Sequence, residues 1–241
     1  MTTETGTHAQ RAVMVLRKRI LSGVLPGGTR LFEVALAEEL DISRTPIRAA
    51  LSQLAEEGLL DRGDKGGFLV RSFALADVVD TIDLRGVLEG TAARYAAERG
   101  ASEHQLAQAR DILRDLDRAL AGANVDMDAY ARHNSAFHDL LADMAQSATL
   151  SRELRRVTAL PFAAPSAFID DHSQITALAR TLYPAQEQHR AIIEAISRRE
   201  SGRAEALARE HARAARHNVE YLLGSESALR EGVASLALLT G

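Results

Sequence analysis

Three of the eight histidines in this 241-residue chain stand on apolar helical faces. Asn134, His138, Leu141 and Ala145 recur at i, i+4, i+7 and i+11, so Asn134 and His138 project from the buried side of one helix. His189 heads a stripe with Ile192, Ile193 and Ile196, and His211 lies in line with Leu207, Ala208, Ala215 and Leu222. Three inward imidazoles and an amide oxygen can surround one divalent cation, and neutral imidazole suits Zn²⁺, Ni²⁺ and similar borderline ions. Zinc on three histidines still leaves coordination positions for a ligand carboxylate. The same spacing also fits histidines hydrogen-bonded inside an apolar core. His133, His172 and His217 read as surface or outer groups, and His8 and His104 as solvated. Three histidines on zinc would also serve a hydrolase, which needs a general base beside the bound water. Glu187, two residues before His189, points roughly 200° around the helix from it and is poorly placed for that work. The sequence contains no nucleophile elbow, Walker loop or dinucleotide fingerprint, so an enzyme is not expected.

A second constellation, Ser43-Arg44-Thr45-Pro46-Ile47-Arg48, suits nucleic acid. Arg44 and Arg48 are i, i+4 and share a helix face, while Ile47 and Leu51 turn inward. Arginine forks match guanine O6 and N7 in the major groove, and hydroxyls such as those of Ser43 and Thr45 reach phosphates. Lys65, next to Gly66 at the tip of a glycine-rich turn, could touch the adjacent backbone or minor groove. Alternatively, two arginines near Glu38, Glu39 and Glu56 make an ordinary solvated surface.

The elements that must carry these residues differ between two parts of the chain. Over residues 1–72 the pattern predicts a helix from about His8 to Ser22, a turn at Leu25-Pro26-Gly27-Gly28, and helices over Glu33–Leu40 and Arg44–Glu57. Ser43 or Thr45 can cap the latter, with Pro46 tolerated in its first turn. Two short strands, Leu59–Arg62 and Phe68–Arg71, follow around Gly63-Asp64-Lys65-Gly66-Gly67. Helix, helix, three-residue turn, helix and hairpin is the order of a winged helix-turn-helix. After Ser72 no other strand is predicted. Helices are expected over Leu75–Arg99, Ser102–Ala121, Asp126–Gln146, Thr149–Ala159, Tyr183–Arg199, Gly202–Leu223 and Ser227–Leu239, with a loop at Leu160–Pro165. The fold class is therefore mostly α: a winged domain over 1–72 and an all-α antiparallel bundle with room for a cavity over 73–241.

Composition bounds the chemistry. With no cysteine, disulfides, thiolate metal sites and cysteine nucleophiles are excluded, and any metal must be held by histidine, carboxylate or amide. The formal net charge of −4 argues against a protein coated in basic charge, yet residues 1–72 carry ten Lys/Arg against nine Asp/Glu. The N-terminus lacks a signal-peptide layout and no run reaches the ~18 apolar residues of a membrane span, so a cytoplasmic location and no membrane partner are expected.

The run "LAEELDISRTPIRAALSQLAEEGLL" followed by "GDKGGFLV" resembles the DNA-binding domain of the GntR family of bacterial transcription regulators. The stretches "LRGVLEGTAARYAAERG", "NSAFH", "EQHRAIIEAI" and "ARAARH" are similar to the FCD effector domain of its FadR-type subfamily. The resemblance covers about residues 10–225. It implies a homodimeric regulator, a repressor on a palindromic double-stranded operator, released by a small organic acid in a metal-containing cavity. It places Asn134, His138, His189 and His211 where many FCD domains hold a metal with Asp or Asn and three histidines. Asn134 instead of Asp removes one negative charge, which loosens binding or changes the preferred ion. Zn²⁺ is the first expectation, with Ni²⁺ or another divalent ion as alternatives; some FadR-type relatives bind ligand without metal. The resemblance also places Arg85 in the cavity, where its fork could hold an effector carboxylate. From the residues alone, Arg85 could equally pair with Glu89 at i+4. Where fatty-acid-responsive members often have an arginine opening the first helix of the helix-turn-helix, this chain has Val34.

Overall fold

The computed structural model describes residues 2–63, 66–121, 125–160, 163, 175–224 and 239–240. Contacts divide the chain into two compact units, the first running to Val78.

The first unit is built on three helices and a small sheet. α1 (Thr2–Leu21) buries Val13, Leu16 and Ile20 and packs on α3 (Arg44–Glu56), whose Ile47, Ala50, Leu51 and Leu54 are fully enclosed. Between them α2 (Glu33–Leu40) ends at Asp41, which takes the left-handed conformation (φ 52°) and donates its N–H to the Ala37 carbonyl. Ser43 occupies the N-cap of α3, with extended backbone and no side-chain cap hydrogen bond, and Pro46 lies within the first turn as expected. The wing pairs β2 (Leu60–Arg62) with β3 (Phe68–Val70) antiparallel, Asp61 opposite Leu69. Its turn closes through Gly66 and Gly67, at φ 82° and 78°, where only glycine sits without strain. A Cβ on Gly67 would also stand 3.0 Å from the Leu31 carbonyl oxygen.

Two features of the sheets depart from the sequence reading. β1 (Arg30–Leu31) adds a third strand on the far side of β3, which a two-residue segment has too little pattern to reveal. β4 (Phe73–Ala74) pairs in parallel with β5 (Leu239–Thr240), so the region after Ser72 does contain strand. Leu239, expected to end a helix, lies in β5; the rest of the Ser227–Leu239 expectation falls outside the described residues.

The second unit is helical. α4 (Leu75–Arg99), α5 (Glu103–Leu120), α6 (Met127–Met144), α7 (Ala148–Thr158), α8 (Ile175–Ser197) and α9 (Ser201–Gly224) follow one another, mostly through short links. α5 opens on a reciprocal capping box between Ser102 and Gln105. It buries Leu106, Ile112, Leu113 and Leu116 against α6, which contributes Tyr130, Phe137, Leu140 and Leu141. α8 adds Ile192, Ile193 and Ile196, and α9 adds Ala204 and Ala208 to the same core. α8 begins eight residues before the predicted Tyr183 and runs through Pro184. Proline there forfeits one backbone hydrogen bond, but the helix continues on both sides. Of the expected Leu160–Pro165 loop, Leu160 is a bend and Ala163 a turn; the others lie outside the described residues.

Candidate metal centre and nucleic-acid interface

α6 brings Asn134 and His138 to the interior one turn apart, at 4% and 7% exposure; α8 supplies His189 and α9 His211, both buried. One nitrogen from each histidine can be chosen so that all three lie within 4.8 Å of one another. His189 Nε2 and His211 Nε2 lie 3.1 Å apart. The His138 and His211 rings are stacked 5.3 Å apart, and the Phe137 ring covers His189 at 4.2 Å.

The tautomer of His189 follows from its neighbour. Gln186 donates its amide to the Leu113 carbonyl and to Asp117 Oδ1, each at 2.9 Å. Both partners only accept, so Gln186 Oε1 is the atom left facing His189 Nδ1 at 3.1 Å. Nδ1 therefore carries the proton, and the Nε2 lone pair points at His211. Gln188 Oε1 stands 3.0 Å from His211 Nδ1 and orients that ring in the same sense. His138 Nε2 is buried with no hydrogen-bond partner among the described residues. Burial, then repulsion from His211 and His138, holds His189 well below the usual imidazole range. Burial chiefly lowers His211 to about 3. Both are thus neutral imidazoles, the form that ligates.

Among the described residues, one anion stands beside these rings. Glu89 of α4, 3% exposed, places Oε1 2.8 Å from His138 Nδ1 and 3.6 Å from Arg85 Nε. Burial raises the Glu89 carboxyl, but the opposing pull of His138 and then Arg85 outweighs it and brings the group down to about 2. Arg85 is itself 2% exposed and donates Nη1 to the Ala163 carbonyl at 2.6 Å. Arg85 is thus an interior cation beside Glu89, the i+4 neighbour that the residues alone offered it. The sequence reading missed Glu89 as a member of the cluster, although its i+4 spacing from Arg85 was visible. Gln186, i−3 from His189, carried a similar faint signal. Gln188, Asp117 and Phe137 could be placed only by the packing of one helix on another.

Among the described residues, the other histidines stay apart from this cluster. His133 is half-buried, 3.9 Å from Asp115; His8, His104 and His217 are exposed, and His172 lies outside the described residues. Glu187 is exposed and turned toward Arg190 at 3.4 Å.

On the first unit, Ser43, Arg44, Thr45 and Arg48 are all exposed at the start of α3, while Pro46 and Ile47 face inward. Gly66 is exposed on the wing; Lys65 lies outside the described residues. Glu33, absent from the sequence reading of this face, accepts two hydrogen bonds from Arg48 at 2.9 and 2.8 Å. Those bonds, ahead of the opposing effect of burial, hold the Glu33 carboxyl below its usual range.

Residues 8–70 match the family model described as bacterial regulatory proteins, gntR family, and residues 80–214 match the FCD domain. The chain is 30% identical over 185 residues to YdhC of Bacillus subtilis, an uncharacterized HTH-type transcriptional regulator, covering 76% of this chain and 78% of that protein. The chain belongs to the GntR family. Among its GntR relatives, the gluconate operon transcriptional repressor of Bacillus licheniformis is 31% identical over 136 residues, covering 54% of this chain and 52% of the repressor. The structure of McbR/YncC from E. coli shares the fold, with a TM-score of 0.64 at 19% identity over 90% of this chain and 97% of that one. This GntR-family protein, with its FCD domain, is a DNA-binding transcriptional regulator and not an enzyme. The zinc-hydrolase alternative is set aside accordingly. Among the described residues no helix is long and apolar enough to cross a membrane.

Proposed function

We propose that this regulator is a repressor whose winged domain, residues 1–72, reads a near-palindromic operator as a homodimer, and whose helical domain, residues 73–241, senses a small organic acid at a metal-containing cavity. Two winged domains are required because one recognition helix reads only a few base pairs, and a two-fold dimer presents two of them in register. Ser43 and Thr45 would contact backbone phosphates, Arg44 and Arg48 base edges, and Lys65 and Gly66 of the wing the flanking backbone.

The observation that carries the sensing half is the convergence of His138, His189 and His211. Zinc–nitrogen bonds of about 2.0–2.1 Å at the tetrahedral angle put neighbouring ligand nitrogens roughly 3.3–3.4 Å apart, and the His189–His211 separation of 3.1 Å needs only a small outward movement to match it. The buried, unpartnered Nε2 of His138 fits the same cation, and Asn134, one turn before it, supplies an amide oxygen. Glu89, whose Oε1 lies 2.8 Å from His138 Nδ1 without hydrogen-bond alignment, would turn to accept from it and so act as the carboxylate behind a ligating histidine. A divalent ion, Zn²⁺ first and Ni²⁺ as the alternative, would offer its remaining positions to a carboxylate. Arg85 would grip the acid from the other side, and its closeness to Glu89 keeps the interior charge balanced until the acid arrives. Such binding releases DNA only if the acid prefers the non-binding arrangement of the protein.

Protein purified without a His tag should contain about one divalent ion per chain on elemental analysis. Finding none, even after incubation with Zn²⁺ or Ni²⁺, overturns the metal centre. A thermal-shift screen of metal-loaded protein against a carboxylic acid panel identifies the effector, because a ligand of the native state raises the melting temperature.

A further inference from the structure

Glu33 opens α2, where an acidic residue needs no more than the helix dipole to justify it. Its carboxylate nevertheless reaches α3, taking Nε of Arg48 on one oxygen at 2.9 Å and Nη2 on the other at 2.8 Å. Arg44 Nη2 stands 3.9 Å from the same carboxylate. The Glu33 side chain is 19% exposed and both arginine side chains are 64% exposed, so the carboxylate is the anchored partner and the guanidinium the presented one.

The edge of Arg48 that is engaged decides what this contact can do. A guanidinium has five N–H donors along two forked edges. Glu33 occupies the side edge, Nε with Nη2. The end edge, Nη1 with the outer hydrogen of Nη2, remains oriented away from the carboxylate. That edge is the fork that fits guanine O6 and N7. An unrestrained arginine would have to surrender its rotamer freedom on reaching the groove. Here the ring of hydrogen bonds has already fixed the plane of the guanidinium. The carboxylate also leaves one negative charge beside the two arginines, which disfavours their indiscriminate use as phosphate contacts.

We propose that Glu33 is a specificity-determining residue of the DNA-reading face: it buttresses Arg48 from the side, presents the end fork to a base, and penalises sequence-independent phosphate contact. This rests on the proposed role of Arg48 as a DNA contact. The two effects act in opposite directions on the two kinds of DNA. Losing Glu33 weakens binding to the preferred sequence and maintains or tightens binding to any other.

The test selects preferred duplexes from a random pool with the full-length wild-type protein. It then measures, by fluorescence anisotropy at fixed salt, the affinities of wild type, Glu33→Ala, Glu33→Gln and Arg48→Ala for the selected duplex and for a random one. The Glu33 variants should lower the ratio of selected to random affinity about tenfold, with random-sequence binding retained or tightened. Should Glu33→Ala melt markedly lower than wild type, Glu33→Gln, which keeps the shape and removes the charge, decides the matter on the same ratio. A ratio unchanged in the Glu33 variants but lowered in Arg48→Ala overturns the buttress and leaves the reading of α3 intact. Arg48→Ala equal to wild type on both duplexes overturns the reading of α3, and the buttress with it.

Discussion

The two candidate sites handle charge in opposite ways. In the helical unit, three imidazoles are enclosed at 7% exposure or less; burial chiefly keeps His189 and His211 neutral, and the amides of Gln186 and Gln188 set the direction of those two rings. On α3, two permanently charged guanidinium groups stand in water with the Glu33 carboxylate beside them. A cation centre must be dry and prearranged, because each ligand has to shed its water and its proton before it binds. A DNA-reading face must stay hydrated and cationic, because its partner brings the counter-charge. The interior site should therefore be intolerant of single changes and sensitive to pH. The exposed face should be tolerant in stability, and its losses should appear in binding.

The largest expected effect is on the interior side of that contrast. His189 sits at the centre of the cluster, 3.1 Å from His211 and in contact with Phe137, so His189→Ala should take metal content from about one ion per chain to near zero on elemental analysis. Added Zn²⁺ should then no longer raise the melting temperature. Metal retained at full stoichiometry would mean that the histidines are core residues and that the contrast is wrong at its root.

On the exposed side, Arg48→Ala should abolish operator retention in a gel shift at matched salt, a loss of roughly 1–3 kcal/mol in recognition. The dimer should remain intact by light scattering. Retention equal to wild type would remove α3 from the interface.

Much of this division is legible in the amino-acid sequence alone. The i, i+4 pair Arg44 and Arg48, the start at Ser43 and the inward Ile47 are local facts of one helix; α3 begins after Ser43 with Ile47 buried, although the Ser43 side chain makes no cap hydrogen bond. The inward faces of Asn134, His138, His189 and His211 follow equally from helical period and apolar neighbours. What periodicity does not contain is which helix faces which. Glu33 meets Arg48 across fifteen residues and Gln186 meets Asp117 across sixty-nine, so both contacts exist only through packing. The parallel pairing of β4 with β5 is hidden for the same reason, at two residues per strand.

Gln186 sharpens the comparison one level further out. Gln186→Leu preserves the approximate volume but removes the acceptor that keeps the His189 proton on Nδ1. Metal affinity by isothermal titration should fall about 10–100-fold, the usual cost of losing the hydrogen-bonding partner of a ligating group. The visible absorption spectrum of the Co²⁺-loaded variant should also shift, because the ligand ring is no longer held in place. An unchanged affinity and spectrum would show that His189 is oriented by packing against Phe137 alone.

The smallest effect is also the one that separates the two regions most directly, by pH in metal-free protein. His189 and His211 have folded-state values below the ordinary imidazole value of 6.5, the latter at about 3. The unfolded chain therefore binds more protons than the folded one as pH falls below about 6.5, so their contribution to stability is present above that value and is lost on acidification. Glu89, lowered to about 2, acts in the same direction but below the ordinary carboxylate value of 4.5. Urea unfolding at pH 5.5 against pH 7.5 should then show a loss on the order of 1 kcal/mol for each of the two histidines. His211→Gln should flatten that dependence, whereas Glu33→Gln should leave it unchanged, because the Glu33 carboxyl is held below its usual range and stays ionised across the whole window. A pH dependence that survives in His211→Gln and disappears in Glu33→Gln would place the titrating charge on the exposed face and invert the assignment of dry and wet sites.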